Sequence, residues 1–212
     1  MTEPRTAQIL VDTPPGFVRL PLPSEEERGT ERITALAGQI AQHDGYSAEQ
    51  MSRYLGLVGT ALYDNNVRLF GKFVVGTDEP AVATLTLVLG GLTEPDSEDA
   101  ERIRSYPAKA ADALLARYRE RRPDSDAQVV RLPIGPAVAA ATAGEYRLPP
   151  EMTGQHEEIV RPVFRAEFQV LAPDGARLII LSVNTNSEAG WPDVARTALE
   201  VASSIRYEPG DT

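Results

Sequence analysis

Arg165 and Glu167 stand two residues apart in a stretch that alternates apolar and polar side chains from Arg161 to Leu171, so both project from one side of an extended strand. Under a covering helix such a pair lines a polar cavity. On an open face it forms a cross-strand ion pair. Asn184, Asn186 and Trp191 make a second group, where the last strand runs into the last helix. Amides beside a lone tryptophan suit a small ligand or a peptide; more often such asparagines cap the turn and the tryptophan anchors the helix. The third group is Arg117, Arg119, Arg121 and Arg122, the densest basic cluster of the chain, at the end of a helix. The helix dipole favours cations there, which accounts for the cluster structurally; Arg117 and Arg121 remain candidates for an anion or a partner.

Reactive chemistry finds little support. His156-Glu157-Glu158 begins like the zinc motif H-E-x-x-H, but Val160 occupies the place of the second histidine. The chain has no cysteine and only two histidines, His43 and His156. Thiolate zinc sites, iron–sulfur clusters and cysteine nucleophiles are therefore excluded, and a histidine triad has little to build on. Neither a phosphate-binding glycine loop with its lysine nor a G-x-S-x-G elbow is present. No catalytic residue, cofactor or metal is expected.

The 212 residues carry 21 basic and 31 acidic side chains, a formal charge of −10, with 42% apolar residues. That suffices for a core without metal or disulfide staples, and a single domain over residues 1–212 is expected. The acidic balance argues against nucleic acid and anionic membranes, whose phosphates are held by lysine and arginine. All the basic residues except Lys72 and Lys109 are arginine, a bias we attribute to a GC-rich genome. Met1-Thr2-Glu3-Pro4-Arg5 does not resemble a secretory signal, and the longest apolar stretches fall far short of the ~20 residues that span a bilayer. The expected location is cytoplasmic.

The elements that would position these groups follow from periodicity. Phe17–Leu20 reads as a peripheral strand. Ser24 precedes a helix with Ile33, Leu36, Ala37 and Ile40 on one face, and Ser47 opens a second, with Met51, Tyr54, Leu55, Val58 and Leu62 on one face. Residues 1–66 thus form a strand and a helical hairpin laid on a sheet-and-helix core at 67–207, with a tail at 208–212. From Val67 the period becomes 2: Val67–Val75 and Ala81–Leu89 are strands, the second an inner one, and Gly90-Gly91 with Pro95 ends the hairpin. Ser97–Arg122 is helical and divided at Pro107, with Ala110, Ala113, Leu114 and Tyr118 toward the sheet. Gln128–Ile134 is a strand, Ala137–Ala143 is ambiguous between strand and helix, and Leu148–Gln155 is a loop. Arg161–Leu171 and Leu178–Thr185 pair about the Pro173-Asp174-Gly175 turn, and a helix starts near Trp191.

The cadence from Arg161 to Tyr207, strand, Pro-Asp-Gly hairpin, strand, tryptophan-led helix and an Ala-Ser-Ser-Ile-Arg ending, resembles the end of PsbP-like domains, including the LpqN-type lipoproteins of actinobacteria. A group of uncharacterised actinobacterial proteins shares with this chain a strand like Val129–Pro136 before that ending. The resemblance implies an α+β fold: an antiparallel sheet flanked by helices, an α/β/α sandwich, used to bind proteins or ligands and usually without catalysis. The chain departs from the family in having no lipobox cysteine and in carrying the N-terminal hairpin. The function expected on these grounds is that of a non-enzymatic interaction protein, an accessory to a secretion or toxin system, with a protein partner and an oligomeric state left open between monomer and homo-oligomer. The alternative is a small-ligand binder using a cavity between sheet and helices near Arg165, Glu167 and Trp191.

Overall fold

A computed structural model describes residues 8–23, 26–44, 47–77, 79–148 and 157–208, the side chains of 26–29 and 42–44 excepted. His156, the Ser24 cap, most of the loop expected at Leu148–Gln155 and all but the first residue of the 208–212 tail lie outside that set, as does the side chain of His43.

The elements are β1 (Gln8–Leu10), β2 (Val18–Arg19), α1 (Glu26–Asp44), α2 (Ala48–Asp64), β3 (Val67–Val75), β4 (Ala81–Gly91), α3 (Glu98–Ser105), α4 (Pro107–Arg121), β5 (Asp126–Leu132), β6 (Gly135–Leu148), β7 (Ile159–Leu171), β8 (Arg177–Thr185), α5 (Trp191–Ser203) and β9 (Arg206–Glu208). The fold is α+β. Seven strands form one antiparallel sheet in the order β2-β3-β4-β8-β7-β6-β5, and β1 pairs with β9 apart from it.

Period-2 alternation sends successive side chains to opposite faces of this sheet. One face carries Leu85 and Leu87 of β4, Ile179, Leu181 and Val183 of β8, and Phe168 and Val170 of β7, all buried. Helix α5 seals it with Val194, Ala198, Val201 and Ala202, an apolar stripe at helical spacing. Near α5 the buried Thr185 hydroxyl donates to the Val82 carbonyl at 2.9 Å and accepts from the Ser187 amide, so no buried side-chain donor or acceptor is left unpaired among the described residues. Among the described residues, α4 covers the other face over β5 and β6, where Tyr118, Leu114 and Leu115 meet Ala127, Val138 and Ala140.

Local signals set the helix ends. Ser47 and Ser97 cap α2 and α3, each hydroxyl accepting an amide three residues on, from Gln50 at 3.1 Å and Ala100 at 3.2 Å. Pro107 and Pro192 open α4 and α5, where a missing N–H costs nothing. Helices α1 and α2 pack against each other, and α2 is tied to the body where the Pro21 carbonyl lies against Gly59 and where the Arg68 guanidinium sits 4.7 Å over the Tyr63 ring.

Several expectations need correction. The ambiguous stretch at Ala137–Ala143 is strand, extended to Gly135–Leu148, because it is paired on both sides by β5 and β7. Gly90 and Gly91 do not end β4; they stay in its ladder opposite Leu178 and Arg177. The buried face of α4 is Ala111, Leu114, Leu115 and Tyr118, whereas Ala113 is exposed. The peripheral strand keeps only Val18 and Arg19, and β1 and β9 were not anticipated.

Candidate functional site

The sheet register assembles a polar row on the half-open face. Lys72, Thr84, Asn184, Arg165 and Thr142 stand opposite one another across β3, β4, β8, β7 and β6. Phe70, Thr86, Ser182, Glu167 and Ala140 form the next row. Arg165 and Glu167 therefore do project together, as their spacing predicts, yet they are not paired with each other. Arg165 Nε donates to Asn184 Oδ1 at 2.7 Å, and Gln169 Nε2 donates to Glu167 Oε1 at 2.7 Å. The α4 phenol of Tyr118 comes near this row: burial, and then the charge of Glu167, hold its pKa above the usual tyrosine value, opposed by Arg122 and Arg165. Glu167→Gln removes the carboxylate that disfavours tyrosinate, so Tyr118 should titrate at lower pH in that variant, as followed by NMR of 13C-labelled tyrosine; an unmoved or rising midpoint would place Glu167 elsewhere.

Asn184 and Asn186 meet at the end of the same face, in a depression of about 360 Å³ lined also by Lys72, Val82 and Thr84. The Asn186 amide is partly committed, donating to the Pro162 carbonyl at 2.7 Å. Trp191 does not join them. It lies on the α5 side of the sheet, stacked on Phe164 with ring centroids 5.9 Å apart, and serves to seat the helix. A single cavity holding Arg165, Glu167 and Trp191 is thus not formed, because a strand residue of one parity and the α5 helix occupy opposite faces.

A larger feature was not visible in the sequence. Between α3, α4 and the segments Leu92-Thr93 and Leu171 runs a groove of about 790 Å³. Ile103, Leu114 and Leu171 give it apolar wall; Arg102, Lys109 and Arg117 give it positive charge. Arg102 is paired with Asp99 at 3.0 Å, and Lys109 Nζ lies 5.2 Å from the centre of the exposed Tyr106 ring. Arg117, from the arginine cluster, thus reaches the groove. Arg119 does not: its guanidinium donates to the Ala127 carbonyl at 2.6 Å, fixing the end of α4 to β5. Arg121 is exposed one turn beyond Arg117, outside the groove lining. Ala110 and Ala113, expected under the helix, line the groove instead. The cations at 102, 109 and 117 are spaced seven and eight residues apart, near whole helical turns, but the wall opposite them comes from the distant segments Leu92-Thr93 and Leu171.

No group of three or more acidic or histidine side chains arranged to hold a metal occurs among the described residues, and no helix there is long and apolar enough to cross a membrane. The chain matches no known protein family, and no curated protein is detectably similar to it in sequence.

Proposed function

We propose that the protein is a non-catalytic interaction module that receives an acidic, partly apolar segment of a partner protein in the groove between α3 and α4. The observation that carries this reading is that Lys109 and Arg117, with Arg102 held by the Asp99 carboxylate, leave the groove net positive beside Ile103, Leu114 and Leu171, on a chain whose net charge is −10. A local positive field on an acidic surface steers an acidic partner to one place and repels it elsewhere, and the apolar wall supplies contact area that charge alone does not. The sandwich architecture and the tryptophan-led closing helix support taking the C-terminal part as PsbP-like, a fold suited to such display.

The test is fluorescence anisotropy with a labelled acidic amphipathic peptide and a basic peptide of matched hydrophobicity. The wild-type protein should bind the acidic peptide in a salt-sensitive way, and the double variant Lys109→Glu/Arg117→Glu should weaken binding by about tenfold or more. Equal binding of both peptides, or an unaffected double variant, would refute the assignment. A second reading, a small polar ligand, is favoured by the depression at Lys72, Thr84, Asn184 and Asn186, whose volume falls at the low end of small-molecule sites.

A further inference from the structure

Strands β6 and β7 outrun the sheet that holds them. β5 accompanies β6 only as far as Asp126 opposite Ala141, and β8 accompanies β7 only as far as Thr185 opposite Phe164. Beyond both points Gly144–Leu148 and Ile159–Val163 continue paired with each other alone, a two-stranded ribbon extending about 15 Å at ~3.3 Å per residue. Gly144, Glu145, Tyr146 and Arg147 are exposed, as are Val160, Arg161 and Pro162; Tyr146 keeps 50% and Val160 43% of its surface. A lone ribbon is marginal in water, and a free strand edge offers its amides and carbonyls to another chain.

The two edges of the ribbon are not equivalent. On β7, Pro162 has no N–H to offer, and its carbonyl already accepts the Asn186 amide. On β6, the run Gly144-Glu145-Tyr146-Arg147-Leu148 contains no proline and no strand covers its outer side among the described residues.

We infer that this β6 edge pairs antiparallel with the same edge of a second copy of the chain, about a two-fold axis through Tyr146. The sequence is self-complementary only in that register. Centred on Tyr146, Glu145 faces Arg147 of the other copy and Arg147 faces its Glu145. Centring on Glu145 or Arg147 sets like charges against each other, centring on Gly144 leaves both charges facing small or neutral residues, and the pleat forbids an axis between residues. At present Arg147 forms exposed ion pairs with Glu145 at 3.1 Å and Glu158 at 3.4 Å, contacts that exchange for cross-strand ones at little cost. The ladder from Gly144 to Leu148 is short, so the dimer is weak and concentration-dependent, with a Kd of roughly micromolar or higher. This inference is independent of the groove.

Sedimentation velocity up to about 200 µM tests it. The wild-type protein should show a sedimentation coefficient that rises with concentration. Glu145→Arg alone and Arg147→Glu alone should each remain monomeric, because each sets like charges opposite. An equimolar mixture of the two variants should associate, since arginines of one then face glutamates of the other. Because the chain lacks cysteine, Tyr146→Cys offers a second readout: on the axis it should form a covalent dimer under mild oxidation, at the Cα separation of facing residues, whereas Val160→Cys on the other edge should not. A monomeric wild type at the highest concentration, single variants that associate like the wild type, or a mixture that stays monomeric would overturn the proposal.

Discussion

Leu181→Ala should reduce the unfolding free energy by about 3–5 kcal/mol, the range for truncating a large aliphatic side chain in a closed core. Leu181 has no exposed surface, lies on β8 in the middle of the sheet, and is flanked by Leu87 on one side and Phe168 on the other, under α5. The surrounding groups belong to two long ladders and a packed helix, which have little freedom to collapse into the space left behind. For a chain of this size each kcal/mol corresponds to ~2–4 °C in Tm, so thermal unfolding followed by circular dichroism should shift by about 10 °C. Ser182→Ala is the matched control. Its side chain points to the half-open face, and its cost should stay within about 1 kcal/mol. Equal losses for the two would mean that the sheet faces are not divided as described.

The second large effect is expected at Gly175, in the turn between β7 and β8. Its φ is +69°, and a Cβ there would collide with the carbonyl oxygen of Ala100 and meet Arg104 Cγ at 3.0 Å. Gly16 has the same φ of +69° with no atom within 4 Å of the added carbon. Gly16→Ala therefore isolates the backbone cost, about 1 kcal/mol, and Gly175→Ala adds the displacement of α3, for a total of about 2–4 kcal/mol. Urea denaturation of both variants separates the two terms. Because Arg102 and Ile103 of α3 line the groove, Gly175→Ala should also weaken capture of the acidic peptide, an effect Gly16→Ala should not share. Equal stability losses at the two glycines would remove the close approach of α3 to the turn.

Where periodicity was strong, the sequence alone located the elements: Val67–Val75 and the core of the last two strands alternate cleanly, and Pro107 divides α3 from α4 as its geometry requires. The ambiguous Ala137–Ala143 is built of small residues that carry no period; long-range pairing with β5 and β7 decides it. At Gly90 and Gly91 the turn preference of glycine gives way to β8, which runs alongside and holds both in register. β1 and β9 have three residues each, too few to show alternation, and lie at opposite ends of the chain. At the site level, Arg165 and Glu167 were rightly placed on one face, because parity along a strand is local information. Which neighbours they would take, Asn184 and Gln169, depended on register. The groove depended on three separate segments, and of the two readings of Trp191 the helix-anchoring one fits its stacking on Phe164, because the turn before α5 carries the chain to the other face of the sheet.

The pairing of β1 with β9 also fixes how the molecule answers a pull. Gln8 lies opposite Glu208 and Leu10 opposite Arg206, so the chain leaves this small ladder at the same end in both directions. Tension applied through the two ends loads the hydrogen bonds one after another, as in a zipper, rather than all together in shear. The bidentate contact of Arg206 with Asp12, at 2.6 and 3.1 Å, then becomes the next element to yield. Within β9 the Tyr207 hydroxyl donates to Asp174 Oδ2 at 3.2 Å, so opening of the small ladder passes tension to the β7–β8 turn before the rest of the seven-stranded sheet is loaded.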